Sequence, residues 1–178
     1  MTARSREPFD PDRAVSAIRA HLATPVPSTG PTADEGEPAT GEWAMTRGEG
    51  FLLFPLWESE ALTGVYGREW NEAEAAAEAH LTALTAELDR HWGTHRTVPL
   101  RIPLLRSRTG ARLPEPFHTL SAKDCHGDLA VWGPVPAEDP KTAARWIALS
   151  LNQSDGDAPM IITALISTRP ITEPTDPG

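Results

Sequence analysis

Three apolar runs in the last third of the chain constrain its fold more than any other feature. They span residues 129–135, 145–153 and 160–168. The second and third runs are separated by residues 154–159, which include the pair Asp155-Gly156. An Asp-Gly pair between two apolar runs is a strong signal for a β-hairpin. We therefore expect a sheet that contains these three strands.

The second of these runs has a competing interpretation. Asp139 and Pro140 also form a good helix start, which would make residues 140–152 helical. Along residues 147–152, however, large apolar side chains alternate with small or polar ones. This period of two favours a strand over a helix.

Earlier segments complete the predicted sheet. Residues 43–47 and 51–57 are separated by Gly48-Glu49-Gly50, which predicts a second hairpin. Residues 98–104 alternate apolar side chains with two prolines and an arginine, and proline cannot donate a ladder hydrogen bond, so this strand belongs at a sheet edge. The predicted strands are 43–47, 51–56, 98–104, 129–134, 145–152 and 160–167.

Two segments have the spacing of amphipathic helices. Residues 11–22 follow Asp10, a good N-cap, and begin with proline at the first helical position. Residues 71–91 begin with Asn71 and Glu74 at the spacing of a capping box, and Gly93 follows as a stop signal. Each carries one apolar stripe, so we expect the longer helix to pack one face on the sheet.

These elements predict a single α+β domain with a mainly antiparallel sheet over residues 43–168. Residues 1–23 are expected to form an N-terminal helical arm, which docks on this domain or on another chain. Residues 24–42 are rich in proline, glycine and acids and are expected to be a flexible linker. Loops are expected at 58–69 and 106–123, and a disordered tail at 169–178.

Composition excludes several classes of function. The formal net charge of −9 argues against a nucleic-acid partner, because phosphate binding needs clustered basic residues. The apolar runs are far shorter than the ~20 residues that span a bilayer, and the first residues lead into no apolar segment of a secretory signal. One cysteine fits a reducing compartment. We expect a cytoplasmic protein without membrane contact.

Basic residues gather in one region of this acidic chain. They are Arg90, Arg96, Arg101, Arg106, Arg108 and Arg112. Such a group could hold a small anion or the acidic patch of a partner, but arginines of this kind more often form a solvated face, because exposed charges need no specific partner.

The sharpest candidate for chemistry is the segment 123–128, which holds Asp124, Cys125, His126 and Asp128 just before a predicted strand. In an extended backbone, the two aspartates and the histidine would share one side, a spacing compatible with a divalent metal. Alternatively, His126 would lower the pKa of Cys125 and make it nucleophilic. The simpler interpretation is a polar turn with Cys125 as a small buried side chain. We assign no metal site and no cofactor.

Other motifs are weak or missing. His91 and His95 have the i, i+4 spacing of helical zinc ligands, but Gly93 is expected to break the helix between them. The sequence contains no phosphate-binding glycine loop, no nucleophile elbow, no Cys-x-x-Cys pair and no repeat.

Six tryptophans beside one tyrosine are the remaining unusual feature. Trp132 and Trp146 lie in predicted strands and are expected to be core. Core packing is the simpler expectation for the other aromatic residues too. The alternative is that those near the loop 58–69 are exposed and form an aromatic binding surface, with Glu58, Glu60 and Glu69 as an acidic rim. Its candidate members are Trp43, Phe54, Trp57, Tyr66 and Trp70.

The sequence therefore leads to one main functional hypothesis and two alternatives. The main hypothesis is an acidic, non-catalytic interaction module, an accessory, inhibitor or immunity-like protein, that binds a protein partner through the aromatic surface. The first alternative is a small enzyme or metal-binding protein that uses residues 124–128. The second is a homo-oligomer in which strand 98–104 or helix 11–22 crosses between chains.

Overall fold

The computed structural model describes residues 8–110, 112–136 and 143–173. Within them it has four helices and seven strands. The helices are α1 Pro11–Leu22, α2 Gly67–Trp92, α3 Arg101–Arg108 and α4 Phe117–Ala122. The strands are β1 Ala33–Gly36, β2 Trp43–Gly48, β3 Phe51–Glu58, β4 Arg96–Val98, β5 Leu129–Val135, β6 Arg145–Asn152 and β7 Ile161–Ser167.

All seven strands form one antiparallel sheet in the order β1-β2-β3-β7-β6-β5-β4. The predicted α+β class is confirmed, and so are both hairpins. β6 pairs with β5 and β7 along its length, so residues 145–152 are a strand. The proposed helix start at 139–142 lies outside the described residues.

The sheet is covered on both faces, whereas the sequence predicted cover on one. Side chains such as Leu52, Leu149 and Ile162 pack under α1 and α2. Their strand neighbours point the other way, where Leu53 and Leu165 pack under α4 and the segments around it. The sheet is therefore buried on both sides, and its strands read as nearly continuous apolar runs.

Helix α1 is capped as the sequence predicts. The Asp10 carboxylate accepts hydrogen bonds from the amides of Asp12 at 3.0 Å and Arg13 at 3.3 Å. Ile18 is fully buried, and α1 contacts α2, β3 and β7 of the same chain. The arm thus docks on its own domain.

Helix α2 begins earlier than its capping signal. It starts at Gly67, and Tyr66 occupies the N-cap position without a side-chain hydrogen bond. The predicted capping box at Asn71 is therefore wrong. Trp70 packs against a small cluster that contains Leu62 and Met160, and this tertiary contact extends the helix by one turn. Gly93 ends α2 with φ +84°, as expected.

The predicted edge strand 98–104 is mostly wrong. Only Val98 of that range belongs to β4, which does lie at the edge of the sheet. Residues 101–108 form α3 instead, and Pro103 is tolerated there because the first-turn amides of a helix have no intrahelical partner.

Helix α4 lies inside the predicted irregular segment 106–123, and burial of Phe117 and Leu120 against the sheet stabilises it.

Two segments expected to be flexible contain ordered structure. β1 lies within the predicted linker 24–42, where its exposed residues pair with β2. Ile171 lies within the predicted tail, but it is 1% exposed and its carbonyl accepts a hydrogen bond from Arg96. Residues 174–178 are outside the described part. Among the residues that the structure describes, no helix has the length and apolar character that crossing a membrane requires.

Candidate functional site

The cysteine of segment 123–128 is a buried side chain. Cys125 lies in the turn between α4 and β5 and is 4% exposed. Burial raises the pKa of its thiol to about 12, although a hydrogen bond with Thr163 acts in the opposite direction. At neutral pH the side chain is therefore a protonated thiol, whereas a nucleophile requires the thiolate.

The three polar neighbours of Cys125 do not converge on one point. The carboxylate Oδ1 of Asp124 lies 3.6 Å from Nε2 of His126. That of Asp128 faces another segment and accepts a hydrogen bond from the amide of Leu100 at 3.1 Å. The extended backbone that a shared side requires is not formed: the segment is a turn with Asp124 at φ +56°, and Cys125 is buried, as in the simpler interpretation. The described residues contain no group of three His, Cys, Asp or Glu side chains that would hold a metal ion.

A small cavity of about 140 Å³ lies beside Cys125. At its side, the Nδ2 atom of Asn152 donates to the hydroxyls of Ser150 and Thr163, at 2.9 Å each. The Oδ1 atom of Asn152 accepts from the amide of Gly127 at 2.9 Å. These buried polar groups are thus paired with one another, and the network fixes the turn against β6.

Gly127 is required for this close approach. A Cβ atom built at this position would lie 2.0 Å from the carbonyl oxygen of Leu151. The turn therefore lies directly on the β6 backbone, which only a residue without a side chain permits.

Trp43 is buried, so it does not belong to an exposed aromatic surface. It is 8% exposed, and its indole nitrogen donates to the hydroxyl of Thr46 at 2.9 Å. The ammonium group of Lys123 lies 5.4 Å from the ring centroid and forms an ion pair with Asp34. Burial by itself would raise the pKa of Asp34, but hydrogen bonds from Lys123 and Thr46 outweigh it, so the net shift is downward.

Two further members of the predicted aromatic surface serve packing. Phe54 is 1% exposed, with the ring of His21 against it at 4.2 Å between centroids. Trp57 is half-buried and contacts the rings of Phe9 and His80, at 6.2 and 4.8 Å. The three rings join the segment before α1 to β3 and α2, so the contact stabilises the fold. Glu58, expected on the acidic rim, is 2% exposed and is not part of any rim.

Tyr66 and Trp70 remain at the surface. Tyr66 is 73% exposed at the start of α2, and Trp70 follows one helical turn later. The indole nitrogen of Trp70 donates to the carbonyl of Gly156 at 3.1 Å, which joins the start of α2 to the β6–β7 loop. The amide of Leu62 also bonds to this loop, at the carbonyl of Asp157 with 3.0 Å.

This contact brings a loop with two aspartates to the start of α2. Glu69 lies in the first turn of α2, and Asp155 and Asp157 lie in the loop that Trp70 contacts. All three are exposed. We name Tyr66, Trp70, Glu69, Asp155 and Asp157 the Tyr66 surface. Glu60, also exposed, is in the chain segment that leads to it.

His91 and His95 have separate partners, and so do two of the six arginines. His95 Nδ1 lies 3.0 Å from the Asp89 carboxylate, whereas His91 Nε2 lies 3.3 Å from Glu87. Arg90 also pairs with Glu87, and Arg96 bonds to a backbone carbonyl. The histidine pair therefore forms no joint site, whereas Arg106 and Arg112 of the arginine group line one cavity.

Comparison with known proteins adds no relative from which function can be transferred: neither the protein-family models nor the curated proteins nor the solved structures contain a match.

Proposed function

We propose that this protein is a non-catalytic, cytoplasmic interaction module whose Tyr66 surface binds a basic patch on a partner protein. The observation that carries the proposal is the 73% exposure of Tyr66 beside an anchored Trp70. Tyrosine and tryptophan are the side chains most enriched in interface hot spots, because each buries a large apolar area with few rotatable bonds.

Rigidity supports this assignment. Trp70 packs on the cluster of Leu62, Ala77 and Met160 and is fixed by its hydrogen bond to Gly156. Asp155 holds its own loop through hydrogen bonds from the amides of Asp157 and Ala158, both 3.0 Å. A surface that is already ordered loses less conformational entropy on binding than a mobile one.

Charge defines the partner's chemistry. Three exposed carboxylates lie in the chain segments that carry the two rings or contact Trp70, and the whole chain carries a net charge of −9. A basic partner would be steered to this surface, and its association rate would fall as salt increases. The thiol of Cys125 is poorly suited to act as a nucleophile at neutral pH, because burial raises its pKa to about 12.

Site-specific crosslinking tests the proposal. A photoreactive phenylalanine analogue at position 66 should capture one discrete protein from native lysate, with a yield that falls as salt rises. The same analogue at Leu105, which is 50% exposed on α3, is the matched control and should not capture that protein. Capture of the same proteins from both positions, or of none from position 66, would refute the proposal.

Two substitutions then measure the interaction with the captured partner. Tyr66→Ala should weaken binding at least tenfold, since truncated aromatic hot spots typically cost about 2 kcal/mol or more. Glu69→Lys should slow association and reduce its salt dependence, whereas Glu78→Lys, exposed farther along α2, should change binding much less. Equal effects of the two charge reversals would show that only overall charge matters.

A further inference from the structure

A second cavity lies at the opposite end of the sheet from the Tyr66 surface. It occupies about 440 Å³ beside Phe51 and Ser167, which pair with each other where β3 begins and β7 ends. The Tyr66 surface lies near the other ends of the same strands. The volume is within the range of about 300–1,000 Å³ that is typical of small-molecule sites.

The floor of this cavity is apolar and ordered. Phe51 is 1% exposed, and Leu113 and Phe117 are 5% exposed each. The three side chains come from β3, the segment before α4, and α4 itself, and all belong to the core cluster on this face of the sheet. A ligand would therefore meet a preformed apolar surface.

The rim of the cavity carries three arginines. They are Arg106, Arg112 and Arg169. This is notable in a chain where 25 acidic residues outnumber 16 basic ones. A guanidinium group presents planar pairs of donors that match carboxylates and related anions.

Two of the three carboxylates in the same lining already have partners, and one of these partners is the rim residue Arg169. Glu49 pairs with Arg169 at 3.0 Å, and Glu115 accepts a hydrogen bond from the amide of Thr119 at 3.2 Å. Glu173 is the third carboxylate of the lining. Arg112 is exposed and forms no ion pair with any residue that the structure describes. Its charge is thus available to a ligand.

We propose that this cavity binds a small organic anion with one acidic head group and an apolar body. Arg112 would pair with the head group, and Phe51, Leu113 and Phe117 would contact the body. The proposal is independent of the Tyr66 surface, since no residue is shared between the two sites.

Fluorescence titration with 8-anilinonaphthalene-1-sulfonate tests the site, because this probe combines an acidic head with an apolar body and becomes bright in apolar surroundings. The full chain should bind it saturably, and Arg112→Gln should weaken binding at least about tenfold, the usual effect of losing a charge-assisted hydrogen bond. Arg108→Gln, on exposed α3 and outside the lining, is the matched control and should bind as the unmodified chain does.

Competition distinguishes the two kinds of apolar body. Octanoate and 2-naphthoate are added separately to the protein–probe complex, and displacement by either one supports the proposal. Stronger displacement by octanoate indicates a flexible chain, whereas stronger displacement by 2-naphthoate indicates a ring. Circular dichroism of each variant verifies that the fold is retained. Equal probe binding by the two arginine variants, or no displacement by either carboxylate, would overturn the proposal.

Discussion

The Asp89 carboxylate shows how much one residue can organise. Its Oδ1 accepts from the amide of His95 at 3.0 Å and from the indole of Trp132 at 2.9 Å, and the His95 ring lies within 3.0 Å. Burial acts to raise the pKa of Asp89, but the hydrogen bonds from His95 and Trp132 outweigh it and the net shift is downward. This centre joins α2, β4 and β5.

We expect Asp89→Asn to lower the free energy of unfolding by about 1–3 kcal/mol at pH 7, because a charged acceptor of several hydrogen bonds is lost. Since the folded-state pKa is depressed, the carboxylate stabilises the fold above the ordinary aspartate pKa of about 3.9, and this contribution is lost as pH falls through the folded value. The difference between the two proteins should therefore shrink in acid. Urea unfolding from pH 7 down to pH 2.5 measures it.

Glu78→Gln is the control for this experiment. Glu78 is exposed on the same helix, so its neutralisation should change stability by no more than about 0.5 kcal/mol. A stability difference for Asp89→Asn that stays constant across the pH range would contradict the role assigned to the ionised carboxylate.

At the residue scale, the solvent exposure of each side chain shows which aromatic residues were wrongly predicted to form a binding surface. Trp43 begins β2 and Phe54 lies within β3, and they are 8% and 1% exposed. Tyr66 and Trp70 lie at the start of α2, where Tyr66 is exposed and Trp70 is half-buried. Local sequence does not specify which side of a strand another helix will cover, and therefore does not separate these cases.

At the scale of elements, helix α2 shows which of its two predicted ends was confirmed. Gly93 ends the helix at φ +84° and ψ 175°, a conformation that is essentially restricted to glycine. The start signal at Asn71 failed, because packing of Trp70 added a turn in front of it. The end of a helix can therefore be predicted from sequence when backbone sterics determine it. The beginning of a helix is harder to predict when tertiary contacts can extend it.

We expect Gly93→Ala to lower the free energy of unfolding by about 1–3 kcal/mol, because alanine is strained in this backbone conformation. Gly156→Ala is the matched control: Gly156 has no positive φ and no atom lies within 4 Å of an added Cβ, so its stability should change little. Chemical denaturation of both variants measures the difference. Equal stability of the two variants would show that the φ of Gly93 is not a constraint.

For the whole molecule, α1 is the informative element. The sequence suggested an arm on a flexible linker, but Ile18 is fully buried in the same cluster as Leu84 and Leu88 of α2. Arg145 also donates to the carbonyl of Thr24 at 2.7 Å, which fixes the end of the arm against β6. The arm is therefore part of the main core.

We expect Ile18→Ala to lower the free energy of unfolding by about 2–5 kcal/mol, the usual cost of a large-to-small core substitution. Because the core is continuous, tryptophan fluorescence and far-ultraviolet circular dichroism should report the same shifted transition. Ser16→Ala, on the exposed side of α1, should leave both signals near the unmodified values. An unmoved fluorescence transition for Ile18→Ala would mean that α1 unfolds separately.

The sequence alone determined the central hairpins, the strand character of residues 145–152, the cap of α1 and the stop of α2. Each depends on local constraints: the period of two in side-chain direction, turn residues with unusual φ, and hydrogen bonds within one turn of helix.

Only the tertiary structure decided the second covered face of the sheet, the burial of Cys125 and Trp43, and the contact of Trp70 with the β6–β7 loop. These features join residues far apart in the chain, such as Trp70 with Gly156 and Asp89 with Trp132. Such contacts depend on how the elements pack, because hydrophobic burial is non-directional and many arrangements satisfy the same apolar pattern.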